Sequence, residues 1–306
     1  MDTSVMITLG FLVFAIVMFA WEKIPLSITA MVVAVGLHLS GVLSAKEAFA
    51  GFVDPNVLLF MGMFVIGEAF FATGVAVGVG NVVHKFAKTE TSLLVAVMMI
   101  TGILSGFLSN TGTAAVLIPV IIGICKKSGF KQTKLLMPLV FAAAMGGNIS
   151  LIGAPGNMIA QAGLQQAGLG SFNFFDYGLV GLPILIVGTI FYATIGKRFL
   201  PDAPSHQPDG AFEGNDDYSH VPSWKKWTAA IVLILTVVAM IFEKQLGVKL
   251  YVSAWIGALV LVATNVISET AAVKSIDMKT IMLFAGSMAL GDAMVKTGTG
   301  SVIADI

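Results

Sequence analysis

From Leu135 to Phe175 the chain runs for 41 residues without a charge. A membrane-spanning helix needs about 20 mostly apolar residues, so the run is too long for one crossing. Nor can it be one continuous helix. Gly146, Gly147, Gly153, Pro155 and Gly156 fall within it, and Gly and Pro are the residues a helix interior tolerates least. Unwound backbone at membrane depth survives only where protein or a watery cavity satisfies its polar groups. The sequence therefore predicts a broken helix over 133–167. One half covers about 133 to 145, an unwound loop 146–156, and a second half starts at Asn157, a residue type suited to an N-cap.

A second uncharged stretch, from Thr91 to Cys125, carries Ser109-Asn110-Thr111-Gly112-Thr113 at its centre. It is too short for two crossings and reads as a re-entrant hairpin over 91–125, with arms 92–107 and 114–125 and its tip at 109–113. The whole chain is 57% hydrophobic and 11% charged, whereas soluble domains carry about 25% charged residues. Further helices are predicted at about 5–21, 24–43, 56–80, 176–197, 228–242, 250–267 and 280–295, with Trp224 and Trp227 as interfacial anchors of the fifth. Residues 5–21 read as a retained helix, because Met1-Asp2-Thr3-Ser4 provides no positive n-region. The fold class is an all-α, multi-pass integral membrane protein.

Function classes fall away with composition. Net charge is zero and there is no basic run, so nucleic acid is not an expected partner. The single cysteine, Cys125, excludes an internal disulfide and a cysteine metal cluster. No phosphate-binding Gly-rich loop with Lys-Ser/Thr occurs, and no His/Glu cluster or Ser/His/Asp set, so neither a primary pump nor an enzyme is expected. Asn148-Ile149-Ser150 has the form of a glycosylation sequon but falls at membrane depth. His38 reads as a helix-end residue.

Placing the N-terminus outside puts thirteen Lys/Arg inside, among them Lys85, Lys88, Lys126 and Arg198, and four outside: Lys46, Lys244, Lys249 and Lys296. This is a positive-inside bias. The hairpin then enters from the cytoplasm, and residues 200–227, rich in Pro, Asp and Gly, form a cytoplasmic linker.

Residues 56–74, NVLLFMGMFVIGEAFFATG, align without gaps to 280–298, TIMLFAGSMALGDAMVKTG, with seven identities and the acid pair Glu68/Asp292. The helix order places the two copies antiparallel, as in inverted-repeat transporters. The expected organisation is a first repeat over 1–199, the linker, and a partial second repeat over 228–306. On that logic a complete chain would reach roughly residue ~420, with a second hairpin, and the 306 residues alone are expected not to transport.

Broken helices at a repeat interface point to substrate and ion sites. Ser105 and Ser109 share a helix face. Their hydroxyls, the Asn110 amide oxygen and loop carbonyls near Gly146–Asn148 could form a neutral oxygen cage suited to a hard monovalent cation such as Na⁺. Neither knot holds a carboxylate, which argues against tight Ca²⁺ binding. The arm that begins near Thr111, Gly112 and Thr113 offers free N–H groups and a positive dipole end to an anion. Glu68 and Asp292, ionisable residues in apolar segments, are functional or structural candidates.

LSNTGTAAVLIP (108–119), GGNISLIGAPGNMIA (146–160) and MLFAGSMALGDAM (282–294) together resemble the divalent-anion:sodium symporter family, the solute carrier family 13 type of the ion transporter superfamily. The resemblance covers nearly the whole chain. It implies an inverted-repeat secondary transporter that takes up a dicarboxylate, citrate or sulfate with Na⁺ as coupling ion and without another cofactor. It implies Na⁺ ligation by Ser105, Ser109, Asn110, Gly147 and Asn148, and substrate contact by Asn110, Thr111, Gly112 and Thr113, with Pro155 and Asn157 in the loop. Pro155-Gly156-Asn157 departs from the family's usual Pro-Pro-Asn or Pro-Thr-Asn, which bears on substrate identity. A homodimer in a prokaryotic plasma membrane is expected. The alternatives are a Na⁺/H⁺ antiporter or metalloid-anion exporter of the same superfamily, with Glu68 or Asp292 carrying protons, and a non-transporting scaffold or fragment.

Overall fold

The computed structural model describes residues 2–78, 89–128, 130–200 and 218–304. Lys85, Lys88 and most of the linker (201–217) lie outside the described residues, as does the end of the helix expected over 56–80. The described elements are helical. In chain order the main ones are α1 (Thr3–Trp21), α2 (Leu26–Leu39), α3 (Pro55–Ala72), α4 (Glu90–Ser105), α5 (Asn110–Ser128), α6 (Thr133–Gly146), α7 (Pro155–Gln166), α8 (Gly178–Thr194), α9 (Ser223–Ile241), α10 (Leu250–Ala263) and α11 (Met278–Thr297). Four of these, α1, α3, α9 and α11, are long and apolar enough to cross a membrane.

The outward faces are as apolar as a core. Val13 and Ile16 on α1 are each 58% exposed, and Leu179 on α8 is 78% exposed. Such faces suit hydrocarbon rather than water, and buried polar positions become the informative ones.

Two compact units divide the chain: residues 1–61, 158–171 and 276–306 form one, and 62–157 and 172–275 the other. In the first, α2 and α11 pack through small residues. Gly286 lies against the Ala30 backbone, and Val33, Ala34, Leu37, Ala289 and Ala293 form a common core. Small contact residues let helix backbones close on each other where lipid supplies no hydrophobic drive. In the second, α4, α5, α6 and α8 enclose Leu93, Val97, Met98, Ile121, Leu139 and Leu185. There a Cβ on Gly146 would enter the Gly102 backbone, and one on Gly102 would meet the Leu185 side chain of α8.

Several expected helix ends move inward. The segment predicted over 24–43 stops at Leu39, and that over 250–267 stops at Ala263. Both end in a left-handed residue, Gly41 at φ 78° and Asn265 at φ 55°. In each, two later N–H groups return to one carbonyl: Val42 and Leu43 to Leu37, and Val266 and Ile267 to Leu261. This is the Schellman closure, in which the left-handed residue turns the chain and a following apolar residue packs back. Next, Ser44 accepts from Glu47 N at 3.3 Å and Ser268 from Ala271 N at 3.2 Å. Further on, α3 stops at Ala72, well before residue 80, because Gly74 turns left-handed at φ 74°. Gly298 at φ 71° ends α11 in the same way. Thr73 Oγ1 donates to Ala69 O and Thr297 Oγ1 to Ala293 O, both at 2.7 Å. Residues 26–74 and 250–298 thus share one local geometry at a constant offset of 224 positions.

The segment predicted from 228 begins at Ser223 and takes in the last residues assigned to the linker. Trp224 and Trp227 are 51% and 69% exposed on its first turns. The uncharged run is broken as expected, into α6 and α7, but α7 starts at Pro155, not Asn157. Proline suits the first helical position because its missing N–H would have no partner there.

Candidate functional site

The break between α4 and α5 and the break between α6 and α7 come together within the second unit. At the first, α4 ends at Ser105 and the chain turns through 106–109. Ser109 is the N-cap of α5: its hydroxyl accepts from Gly112 N at 2.9 Å, and its carbonyl accepts from Thr113 N at 2.9 Å. The Ser109 Oγ expected to bind a cation is therefore engaged by its own helix. Thr111 is exposed, Gly112 is half-buried with Phe71 beside it, and Thr113 is fully buried with no hydrogen-bond partner for its hydroxyl.

At the second break, a turn through 147–154 is held by side chains reaching the backbone. Asn157, 5% exposed, donates from Nδ2 to Gly147 O and to Ser150 O, both at 2.9 Å. Ser150 Oγ donates to Gly106 O, joining the two breaks. Tyr177 Oη donates to Asn157 O at 2.8 Å, and Leu151 N donates to Phe174 O at 2.9 Å. Asn157 is thus a lock on the loop, within the first turn of α7, and not its N-cap. Pro155 is exposed at the start of α7.

Asn110 stands between the breaks. Its amide faces Ser105 Oγ at 2.6 Å, Ala143 O at 3.2 Å and Gly153 O at 3.1 Å. A Cβ on Gly147 would meet that amide at 2.7 Å, so the loop passes Asn110 with no room to spare. Ser105, fully buried, has one hydroxyl hydrogen and two acceptors in reach, Ala143 O at 2.7 Å and Asn110 Oδ1 at 2.6 Å. With Asn110 Nδ2 turned inward, its two hydrogens serve Ser105 Oγ and Gly153 O while Ser105 Oγ donates to Ala143 O, and the cluster is satisfied. With Oδ1 turned inward, four oxygens face one another with one hydroxyl hydrogen among them. Oxygens this close repel unless a hydrogen or a cation lies between them.

Of the expected ligands, Ser105, Asn110 and Gly147 come together, while the Ser109 hydroxyl caps α5 and the Asn148 carbonyl faces α8. The Asn148 carbonyl packs against Gly181 of α8. The carbonyls of Ala143 and Gly153, and the locking roles of Ser150 and Tyr177, went unnoticed in the sequence. Carbonyls carry no residue signature, although Gly153 did mark where a chain could approach them. Among the described residues no group of three or more His, Cys, Asp or Glu could hold a metal. Glu68 and Asp292 are half-buried within α3 and α11.

A family model described as Citrate transporter (CitMHS) matches residues 16–306. Relatives point the same way. An uncharacterized transporter of Escherichia coli, YfbS, is 33% identical over 211 residues, covering 69% of this chain and 35% of that protein. An uncharacterized transporter of Synechocystis is 31% identical over 201 residues, 65% of this chain and 33% of that one. One from Haemophilus influenzae is 25% identical over 316 residues, 97% of this chain and 66% of that one. The chain thus matches about a third of the length of the first two and about two thirds of the third.

Proposed function

The chain belongs to the citrate transporter (CitMHS) family and is an integral membrane transporter of that family; on this premise we propose that it serves Na⁺-coupled uptake of a small multivalent anion, a dicarboxylate, citrate or sulfate. The observation that carries the reading is the Asn110 cluster. It is neutral and gathers oxygens from two chain breaks around one half-buried amide.

Ser105 Oγ, Asn110 Oδ1, Ala143 O and Gly153 O offer hard, uncharged oxygens of the kind that suits a monovalent cation. Without a cation, Asn110 Nδ2 points inward and holds the oxygens apart. A cation takes the place of those hydrogens, and the amide turns so that Oδ1 faces in. That turn frees Nδ2 to donate to an anion at the start of α5, where the helix dipole favours negative charge. Cation binding thereby prepares anion binding through one side chain. Asn157, Ser150 and Tyr177 keep the loop carbonyls in place. The shared geometry of 26–74 and 250–298 supports the inverted-repeat reading, with the second copy supplying its own elements to the opposite side.

A thermal-shift screen of the purified chain with citrate, succinate and sulfate, each in Na⁺ and in K⁺ at pH 6 and pH 8, tests this. Stabilisation by one of these anions in Na⁺ but not K⁺, alike at both pH values, is expected. Stabilisation that ignores the cation, or that follows pH instead, overturns Na⁺ coupling and favours proton carriage by Glu68 or Asp292.

A further inference from the structure

Between α9, α10 and the short helix Glu243–Leu246 lies a cavity of about 310 Å³, within the size range of small-ligand pockets. Leu235, Leu246, Ile256 and Val260 line it and are 39–60% exposed, so the cavity opens toward the apolar outside. Its floor includes Gly257 and Ser253, and Ser253 is 4% exposed.

The Ser253 hydroxyl has no hydrogen-bond partner. Helical hydroxyls in this chain ordinarily donate back to the carbonyl four residues earlier. Thr189, Thr264 and Thr297 do so at 2.7 Å, and Thr8 and Thr228 at 2.8 Å. Thr29, Thr101, Thr113 and Thr133 share the orphaned state, but Ser253 lines a cavity that can hold a partner. A buried hydroxyl facing hydrocarbon without an acceptor is costly.

Depth identifies the acceptor. Ser253 lies one helical turn, about 5.4 Å, inside Lys249, which caps the start of α10. Lys249 pairs with Glu243 at 3.6 Å, and Lys244 donates to Asn173 Oδ1 at 2.9 Å. These exposed charges mark the water boundary. The interfacial layer between them and the hydrocarbon is about 5–7 Å deep, which is where phospholipid ester carbonyls sit. Lys249 pairs with Glu243, and the Asn173 that Lys244 bonds also holds the Asp176 carboxylate, so this end carries charges of both signs.

We propose that this cavity binds one acyl chain of a membrane phospholipid, with the lipid's ester carbonyl accepting a hydrogen bond from Ser253 Oγ. The chain fills the apolar walls, and the headgroup lies at the level of the charged residues 243–249.

Native mass spectrometry of the detergent-purified protein, titrated with phosphatidylglycerol and its ether-linked analogue, tests the site. The wild type should bind one ester lipid about three- to tenfold more tightly than the ether lipid, the worth of one hydrogen bond. Ser253→Ala should weaken ester binding by the same factor and erase the ester–ether difference. Ala239→Phe, which fills the cavity, should abolish the first tight binding event. Equal ester and ether affinities in the wild type overturn the proposal, even if Ala239→Phe fails to fold. So does unchanged lipid binding in Ala239→Phe, or a dimer lost in that variant with lipid binding intact, which would make the groove a contact between copies.

Discussion

The turns that end α2 and α10 and the breaks around Asn110 use the same vocabulary of Gly, Ser and Asn, but they close differently. After α2 and α10, each turn satisfies itself. Leu37 and Leu261 carbonyls receive two N–H groups each, Gly41 and Asn265 carry the left-handed bend, and Ser44 and Ser268 cap the next turn. Around Asn110, carbonyls from two separate segments converge on one amide, with Ser105 able to supply a single hydrogen. A self-closing turn only redirects the chain. An arrangement closed by the amide of one side chain leaves its carbonyls without a donor once that side chain is gone, and such high-stakes polar clusters are where function is sought.

The largest effect that sharpens this comparison is expected at Gly146. A Cβ there would enter the Gly102 backbone, which cannot swing aside as a side chain does. Gly146→Ala should cost about 3 kcal/mol in denaturant unfolding, at the upper end of overpacking effects. A loss below about 1 kcal/mol would mean that the breaks are loosely packed. Next comes Asn157→Ala, which strips two buried carbonyls of their donor. About 2 kcal/mol is expected, with faster hydrogen exchange confined to the loop at 147–154.

The self-closing turns respond to backbone conformation alone. A Cβ on Gly41 would meet nothing within 4 Å, so only its φ resists substitution. Gly41→Val should cost about 1–2 kcal/mol, while Gly41→Asn, which copies the residue at 265, should be nearly neutral. Equal costs for the two would break the equivalence of the turns.

The smallest effect separates the two turns by pH. Glu47 bonds Lys296 at 2.8 Å and completes a capping box with Ser44, and these contacts lower its pKa from 4.5 to about 2. A depressed carboxylate stabilises the fold at neutral pH and loses that contribution as pH falls from 4.5 through about 2. Ala271 stands 224 positions after Glu47, at the same place in the turn that follows α10. Amide protection at residues 44–48 should therefore fall slightly on acidification from pH 5 to pH 3 while that at 268–272 stays constant. The change is small because the pair is exposed and screened.

Hydropathy made the helices legible, and glycine spacing made the breaks legible. Both mislead at helix ends. Val42-Leu43 and Val266-Ile267 extend the apolar runs, yet they are the residues that fold back after the left-handed turn, which apolar character cannot announce. At the site, Ser105 and Asn110 were legible because polar side chains in an uncharged segment demand a reason. Ser109 caps α5, and a helix cap and a cation ligand look alike in sequence. The Ala143 and Gly153 carbonyls were invisible because every residue has one, and only the path of the loop selects them.

The central claim is that Asn110 exchanges hydrogens for a cation. The most direct measurement is a Na⁺ titration of melting temperature at constant ionic strength, with K⁺ as the replacement, for the wild type and Asn110→Ala. The wild type should be stabilised saturably by Na⁺, since a ligand that binds only the folded state raises stability by mass action. Asn110→Ala should keep its helical circular dichroism and melt at one temperature whatever the Na⁺ fraction. A Na⁺ response in Asn110→Ala equal to that of the wild type, or none in either protein, would contradict the account and leave the cluster as packing.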